Sequence, residues 1–152
     1  MSATLEKIEL FDEQVDALAE MLNHINGGNA ENPLILSAKA GSGKTHVART
    51  LLSILSPYSL GSCIAPTGRA AAQLRKSGLE ASTLHSLLYK AIFDTETGKF
   101  RFFSKRNITE IREVAGDYII LDEASMVTYE QYSFIKTIGV PIICLGDHRQ
   151  LP

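Results

Sequence analysis

Leu34-Ile35-Leu36-Ser37-Ala38-Lys39-Ala40-Gly41-Ser42-Gly43-Lys44-Thr45 is the stretch on which the reading of this chain turns. A short apolar run of strand type enters a turn with two glycines. From residue 44 to 55 the pattern becomes helical, with Val47, Leu51, Leu52 and Leu55 on one side. Strand, glycine turn and helix in that order let backbone N–H groups and a helix N-terminus converge on an anion, and any Cβ in the turn would block its approach. A chance match to Gly-x-Gly-Lys-Ser/Thr in a chain this size is on the order of one in a few hundred, so the segment reads as a phosphate-binding loop. Lys44 is expected to reach the β and γ phosphates of ATP, with the Thr45 hydroxyl on Mg²⁺. Ala40, Gly41, Ser42, Gly43 and His46 complete the expected cradle. Ala38 stands where the general pattern opens with glycine.

Upstream, Phe11, Val15, Leu18, Met21, Leu22 and Ile25 recur at helical spacing until Gly27-Gly28, which predicts an amphipathic helix over 10–25. Downstream the strand-turn-helix unit returns. Residues 62–65 are apolar, Pro66-Thr67-Gly68 breaks them, and 69–76 reads as an alanine-rich helix closed by Gly78. Ser82-Thr83-Leu84-His85-Ser86 opens another short helix. Residues 91–103 read as a β-hairpin around Glu96-Thr97-Gly98-Lys99, with Phe93, Phe100, Phe102 and Phe103 along its arms. The last apolar runs are 118–121 and 140–145. Strands alternating with helices predict an α/β fold: a three-layer P-loop NTPase domain with a mostly parallel sheet and a small hairpin insertion.

Asp122-Glu123 follows the run Tyr118-Ile119-Ile120-Leu121, so two carboxylates sit at a strand's end, where ligands of such sheets gather. Asp122 suits the Mg²⁺ shell, and Glu123 suits a general base that polarises the attacking water. Alone, the pair is as well explained as a helix N-cap. Beside a phosphate loop it gains weight.

With these residues in view, the sequence resembles superfamily 1 helicases, and within them the 1B branch of RecD-like and Dda-like enzymes. Ala65-Pro66-Thr67-Gly68-Arg69-Ala70-Ala71 resembles their motif Ia, Thr83-Leu84-His85-Ser86-Leu87-Leu88 motif Ib, Asp122-Glu123-Ala124-Ser125-Met126 motif II, and Gly146-Asp147-His148-Arg149-Gln150-Leu151-Pro152 motif III. The resemblance implies an N-terminal RecA-like ATPase domain over 1–152, whose second RecA-like domain, with its arginine finger, is absent. It implies that Gln14 binds the adenine edge and that Gln150 senses the γ phosphate. It also implies that Pro66, Thr67, Arg69, Thr83 and His85 touch single-stranded DNA. Residue by residue, Pro66-Thr67 is equally a turn and Thr83 equally an N-cap. In the 1B branch an insertion after motif Ib acts as a strand-separating pin, the place of the 91–103 hairpin. Its phenylalanines would stack on a base pair or pack on the domain beneath. Partners in replication or recombination are further expectations.

Composition sets bounds. The chain has 152 residues, 45% of them hydrophobic, enough for one sizeable core. No apolar run approaches the roughly 20 residues of a membrane helix, and the first twenty residues mix Glu, Asp and Lys, so a cytoplasmic protein without membrane association is expected. Cys63 and Cys144 fall in strand-like runs and read as core residues. The net charge of −2 conceals a segregation: 1–30 carries six acidic residues against Lys7 alone, whereas 69–112 carries nine basic residues against four acidic ones. That basic segment could follow a phosphate backbone or be a solvated face. Two other classes fit a phosphate loop near an acidic strand end: a phosphotransferase of nucleoside-kinase type, and a nucleotide-regulated binding module. No arginine-bearing lid is legible after Thr128, against the first. The retained set of Lys44, Asp122, Glu123 and Gln150 argues against the second.

Overall fold

A computed structural model describes residues 9–37, 43–104 and 107–146. Five strands form one sheet in the order β1-β7-β6-β2-β3: β1 Leu34–Ser37, β2 Gly61–Ala65, β3 Ala81–Thr83, β6 Tyr118–Leu121 and β7 Ile142–Gly146. Every pairing in it is parallel. β4 (Tyr89–Asp94) and β5 (Lys99–Ser104) pair antiparallel as a separate two-stranded ribbon.

Helices cover both faces. α1 (Asp12–Asn26), α2 (Lys44–Leu55) and α3 (Gly68–Lys76) pack Leu18, Met21, Leu51 and Leu74 on the side of Tyr118, Ile120, Ile143 and Leu145. α4 (Leu84–Leu88), α5 (Ile108–Ala115) and α6 (Tyr129–Lys136) pack Leu87, Ile111 and Ile135 on the side of Ile119, Leu121, Ile142 and Cys144. Neighbouring residues of β6 and β7 thus serve opposite layers, the period-2 consequence of a strand. Both strands are buried throughout, which is why they read as continuous apolar runs without alternation. The expected three-layer α/β domain is what the chain adopts.

Helix starts follow local chemistry. The hydroxyl of Thr67 accepts from the Ala70 N–H at 3.1 Å, Asn107 Oδ1 from the Thr109 N–H at 2.9 Å, and Thr128 from the Gln131 N–H at 3.2 Å. Several boundaries correct the sequence reading. Residues 81–83 form an edge strand, with Ala65 opposite Thr83, and the helix expected from Ser82 begins only at Leu84. Three residues are too few to show an alternation, and pairing with β2 decides their state. The final strand starts at Ile142 instead of residue 140, because Pro141 has no N–H for the ladder, although its carbonyl accepts from Ile119 at 3.0 Å. The hairpin is longer than 91–103, running from Tyr89 to Ser104. The sequence reading did not assign α5 and α6.

Candidate nucleotide site

The register lines up the strand exits. Ser37 stands opposite Gly146, Leu121 opposite Cys144, Ile64 opposite Leu121 and Ala65 opposite Thr83. The C-terminal ends of β1, β7, β6, β2 and β3 therefore lie side by side at one edge. β7 lies between the phosphate-loop strand and the acidic strand. Ala40, Gly41 and Ser42 of the loop, and Gln150 after β7, lie outside the described residues.

α2 opens at Gly43, whose φ of +84° is left-handed. That conformation favours glycine, and a Cβ there would also displace the Nε2 end of the Gln14 side chain. Gln14 reaches this point from the first turn of α1, where its Oε1 accepts the Phe11 N–H at 3.0 Å. Gln14, Phe11, Leu36 and Lys44 line a cleft of about 700 Å³. One residue on, Thr45 lines a smaller cavity of about 120 Å³ with Asp122, Glu123, Gln73 and Ser77. Consecutive residues at the start of α2 thus face an apolar-walled cleft and a polar, acid-lined one.

Asp122 is fixed through its backbone, its N–H donating to the Ile64 carbonyl at 2.9 Å. Its charge reaches inward: the buried Cys63 thiol is pushed up to about 12, first by burial and then by Asp122. Glu123 has φ +47°, alone among the described non-glycine residues in the left-handed region. That conformation costs a side-chain-bearing residue about 1 kcal/mol. A 3-10 turn, Ala124–Met126, holds it, with the Met126 N–H donating to the Glu123 carbonyl at 3.0 Å. The donor set of Thr45 and Asp122 is hard oxygen, which fits Mg²⁺, an ion that takes one or two carboxylates and completes its shell with water and substrate phosphate. Among the described residues no cluster of three or more His, Cys, Asp or Glu side chains suits a metal held by protein alone.

The other expected residues divide. His46 does not line either cavity; its Nε2 lies 3.3 Å from the Glu9 carbonyl, so its backbone N–H in the first turn of α2 is what it can offer a phosphate. Pro66, Thr67 and Arg69 follow β2, beside Thr83 at the end of β3 and His85 just after it. Thr67 and Thr83 both spend their hydroxyls as helix caps, the latter accepting from the Ser86 N–H at 3.1 Å. The exposed His85 ring sits 4.7 Å from the rings of both Tyr89 and Phe102, joining α4 to the foot of the ribbon. Phe93 and Phe100 face each other across the strands, centroids 5.2 Å apart, and are 53% and 62% exposed, whereas Phe102 meets His85 of α4. The sequence reading put Phe11 on the apolar face of the first helix, where the structure makes it the exposed N-cap residue, and passed over Gln73 and Ser77. Gln73 and Ser77 were findable, since with Ala70 and Leu74 they recur at helical spacing, Ser77 as the C-cap of α3.

Residues 23–152 match the family described as an AAA domain. The chain belongs to that family. It is 29% identical over 168 residues to an uncharacterized protein of Acanthamoeba polyphaga mimivirus, an alignment covering 94% of this chain and 33% of that protein. Among solved structures, Pif1 helicase from Bacteroides superposes with a TM-score of 0.62 at 28% identity, covering 95% of this chain and 33% of the other. A structure addressing DNA unwinding at forked dsDNA by two coordinating Pif1 helicases gives a TM-score of 0.56 at 27% identity, covering 91% and 33%. The AAA domain described here thus spans about a third of the length of these relatives. Its RecA-like fold is that of the superfamily 1B helicases, as the motifs implied. Among the described residues no helix is long and apolar enough to cross a membrane.

Proposed function

We propose that the chain is the nucleotide-binding motor domain of an ATP-dependent helicase or translocase that moves on single-stranded DNA. The observation that carries this reading is the placement of Lys44 and Thr45 on adjoining cavities, with Gln14 in one and Asp122 and Glu123 in the other. ATP fits with its base toward Gln14 and its phosphates at the start of α2, where Gly43, Lys44 and the loop N–H groups supply positive potential. Mg²⁺, held through Thr45 and Asp122, would neutralise charge on the phosphates. Glu123 orients and deprotonates the attacking water, its backbone fixed in advance in the conformation that aims it.

The order β1-β7-β6 favours a motor over a phosphotransferase. It sets the end of β7, at Gly146, between the ends of β1 and β6, and Gln150, which follows in sequence, is the proposed sensor of the γ phosphate. DNA runs over the exits of β2 and β3, by Pro66, Thr67, Arg69, Thr83 and His85. The ribbon beside them serves as a pin through Phe93 and Phe100, and the exposure of both rings supports that role. In the whole protein, a second RecA-like domain supplies an arginine across the cleft, a contribution on the order of 10³-fold or more in related enzymes. The chain alone hydrolyses ATP slowly and does not unwind. The setting is cytoplasmic, alongside replication or recombination proteins.

The test is ATP hydrolysis by the full-length protein with and without single-stranded DNA. Strong stimulation by DNA is the expected result. Stimulation by a nucleoside instead, with phosphate appearing on it, would establish a kinase.

A further inference from the structure

Phe11 occupies the position ahead of α1 where helices favour Ser, Thr, Asp or Asn. It provides no side-chain cap, and the Gln14 side chain ties down the Phe11 N–H from the other direction. The ring gains nothing from the core either, being 79% exposed. An aromatic side chain at that site therefore stabilises neither the helix start nor the fold. It lines the 700 Å³ cleft beside Gln14 and Lys44, whose inner wall includes Ala17, Met21 and Leu36. Gln14 is held in place by its Oε1, which accepts the Phe11 N–H, and its Nε2 lies beside Gly43.

We propose that Phe11 is the base platform of this site: the purine ring of the nucleotide stacks on its exposed face while the phosphates lie at Lys44. This rests on reading the cleft as a nucleotide site. Stacking depends on the π-face and not on the exocyclic groups, so the platform serves GTP as well as ATP. It discriminates nucleoside triphosphates from ligands that lack a base.

The chain contains no tryptophan, so Phe11→Trp installs a single indole reporter. Titrations of this variant, the parent, Phe11→Ala, Phe11→Tyr and Lys44→Ala with ATP, GTP and inorganic tripolyphosphate, each with Mg²⁺, test the assignment. Phe11→Ala should weaken ATP and GTP roughly ten-fold and leave tripolyphosphate within about two-fold, with Phe11→Tyr close to the parent. ATP should quench the Phe11→Trp fluorescence, and tripolyphosphate should not. Unchanged ATP affinity in Phe11→Ala, or an equal loss for tripolyphosphate, overturns the platform while leaving the phosphate site standing. If Lys44→Ala binds all three ligands as the parent does, the cleft is no nucleotide site and the platform falls with it.

Discussion

Thr45 and Asp122, from the start of α2 and the end of β6, line one cavity of about 120 Å³ although β7 separates the strands that deliver them. If that cavity holds Mg²⁺, Asp122→Asn keeps the shape and removes the charge. ATP affinity of the parent should rise on adding Mg²⁺, and that gain should shrink on the order of ten-fold in Asp122→Asn. Isothermal titration with Mg²⁺ and with EDTA measures it; an equal Mg²⁺ effect in both proteins contradicts the assignment.

Thr67 and Thr83 present a case in which cap and ligand contact must be separated. Loss of either hydroxyl to alanine should lower stability by about 1 kcal/mol. Thr67→Ser and Thr83→Ser keep the cap and should restore stability in urea denaturation. If the serine variants also bind single-stranded DNA normally, the threonine methyl groups contribute nothing to that surface.

Gly61 lies opposite Tyr118 in the register, and a Cβ on it would run into the phenol ring. Gly61→Ala should therefore destabilise by about 1–3 kcal/mol through overpacking. The buried Tyr118 hydroxyl has no hydrogen-bond partner among the described residues. Tyr118→Phe should be neutral or stabilising in the same assay, and a large loss would mean the hydroxyl has a partner after all.

Alkaline pH should unfold the domain early. Burial pushes Cys63 up to about 12 and Cys144 up to about 11, and burial with the charge of Asp117 pushes Tyr118 up to about 12. All three values are raised in the folded state, so the fold holds protons that the unfolded chain releases. Their stabilising contribution is complete below about pH 9 and is lost as pH climbs through 11 to 12. Urea midpoints should stay level between about pH 7 and 8.5 and fall by about pH 10.5. A flat profile to that point contradicts the burial of these groups.

The sequence was most legible where function and geometry demand particular residues at fixed spacing. The 34–45 stretch and the run before Asp122 declared strand, turn and chemistry together, since a phosphate loop tolerates few substitutions and a doubly covered strand tolerates little but apolar residues. α6 was missed because it buries only Ile135, a stripe hard to tell from a loop. α5 was findable, since Ile108, Ile111 and Ala115 recur at helical spacing after the Asn107 cap. Strand order was not legible at all, because which strands lie adjacent is fixed by helices packing on both faces and not by any one segment. The association of His85 with Tyr89 and Phe102 likewise depends on how the ribbon folds back on α4.

Whether Lys44 holds the phosphates of ATP is read from direct binding of ATP with Mg²⁺ to the parent and to Lys44→Ala. Lys44 lines the cleft without contributing to either hydrophobic cluster, so its loss should leave the stability measured by urea denaturation within about 0.5 kcal/mol of the parent. Binding to the parent should be saturable, with a loss of at least about ten-fold in the variant. Equal affinity in two equally folded proteins would contradict it.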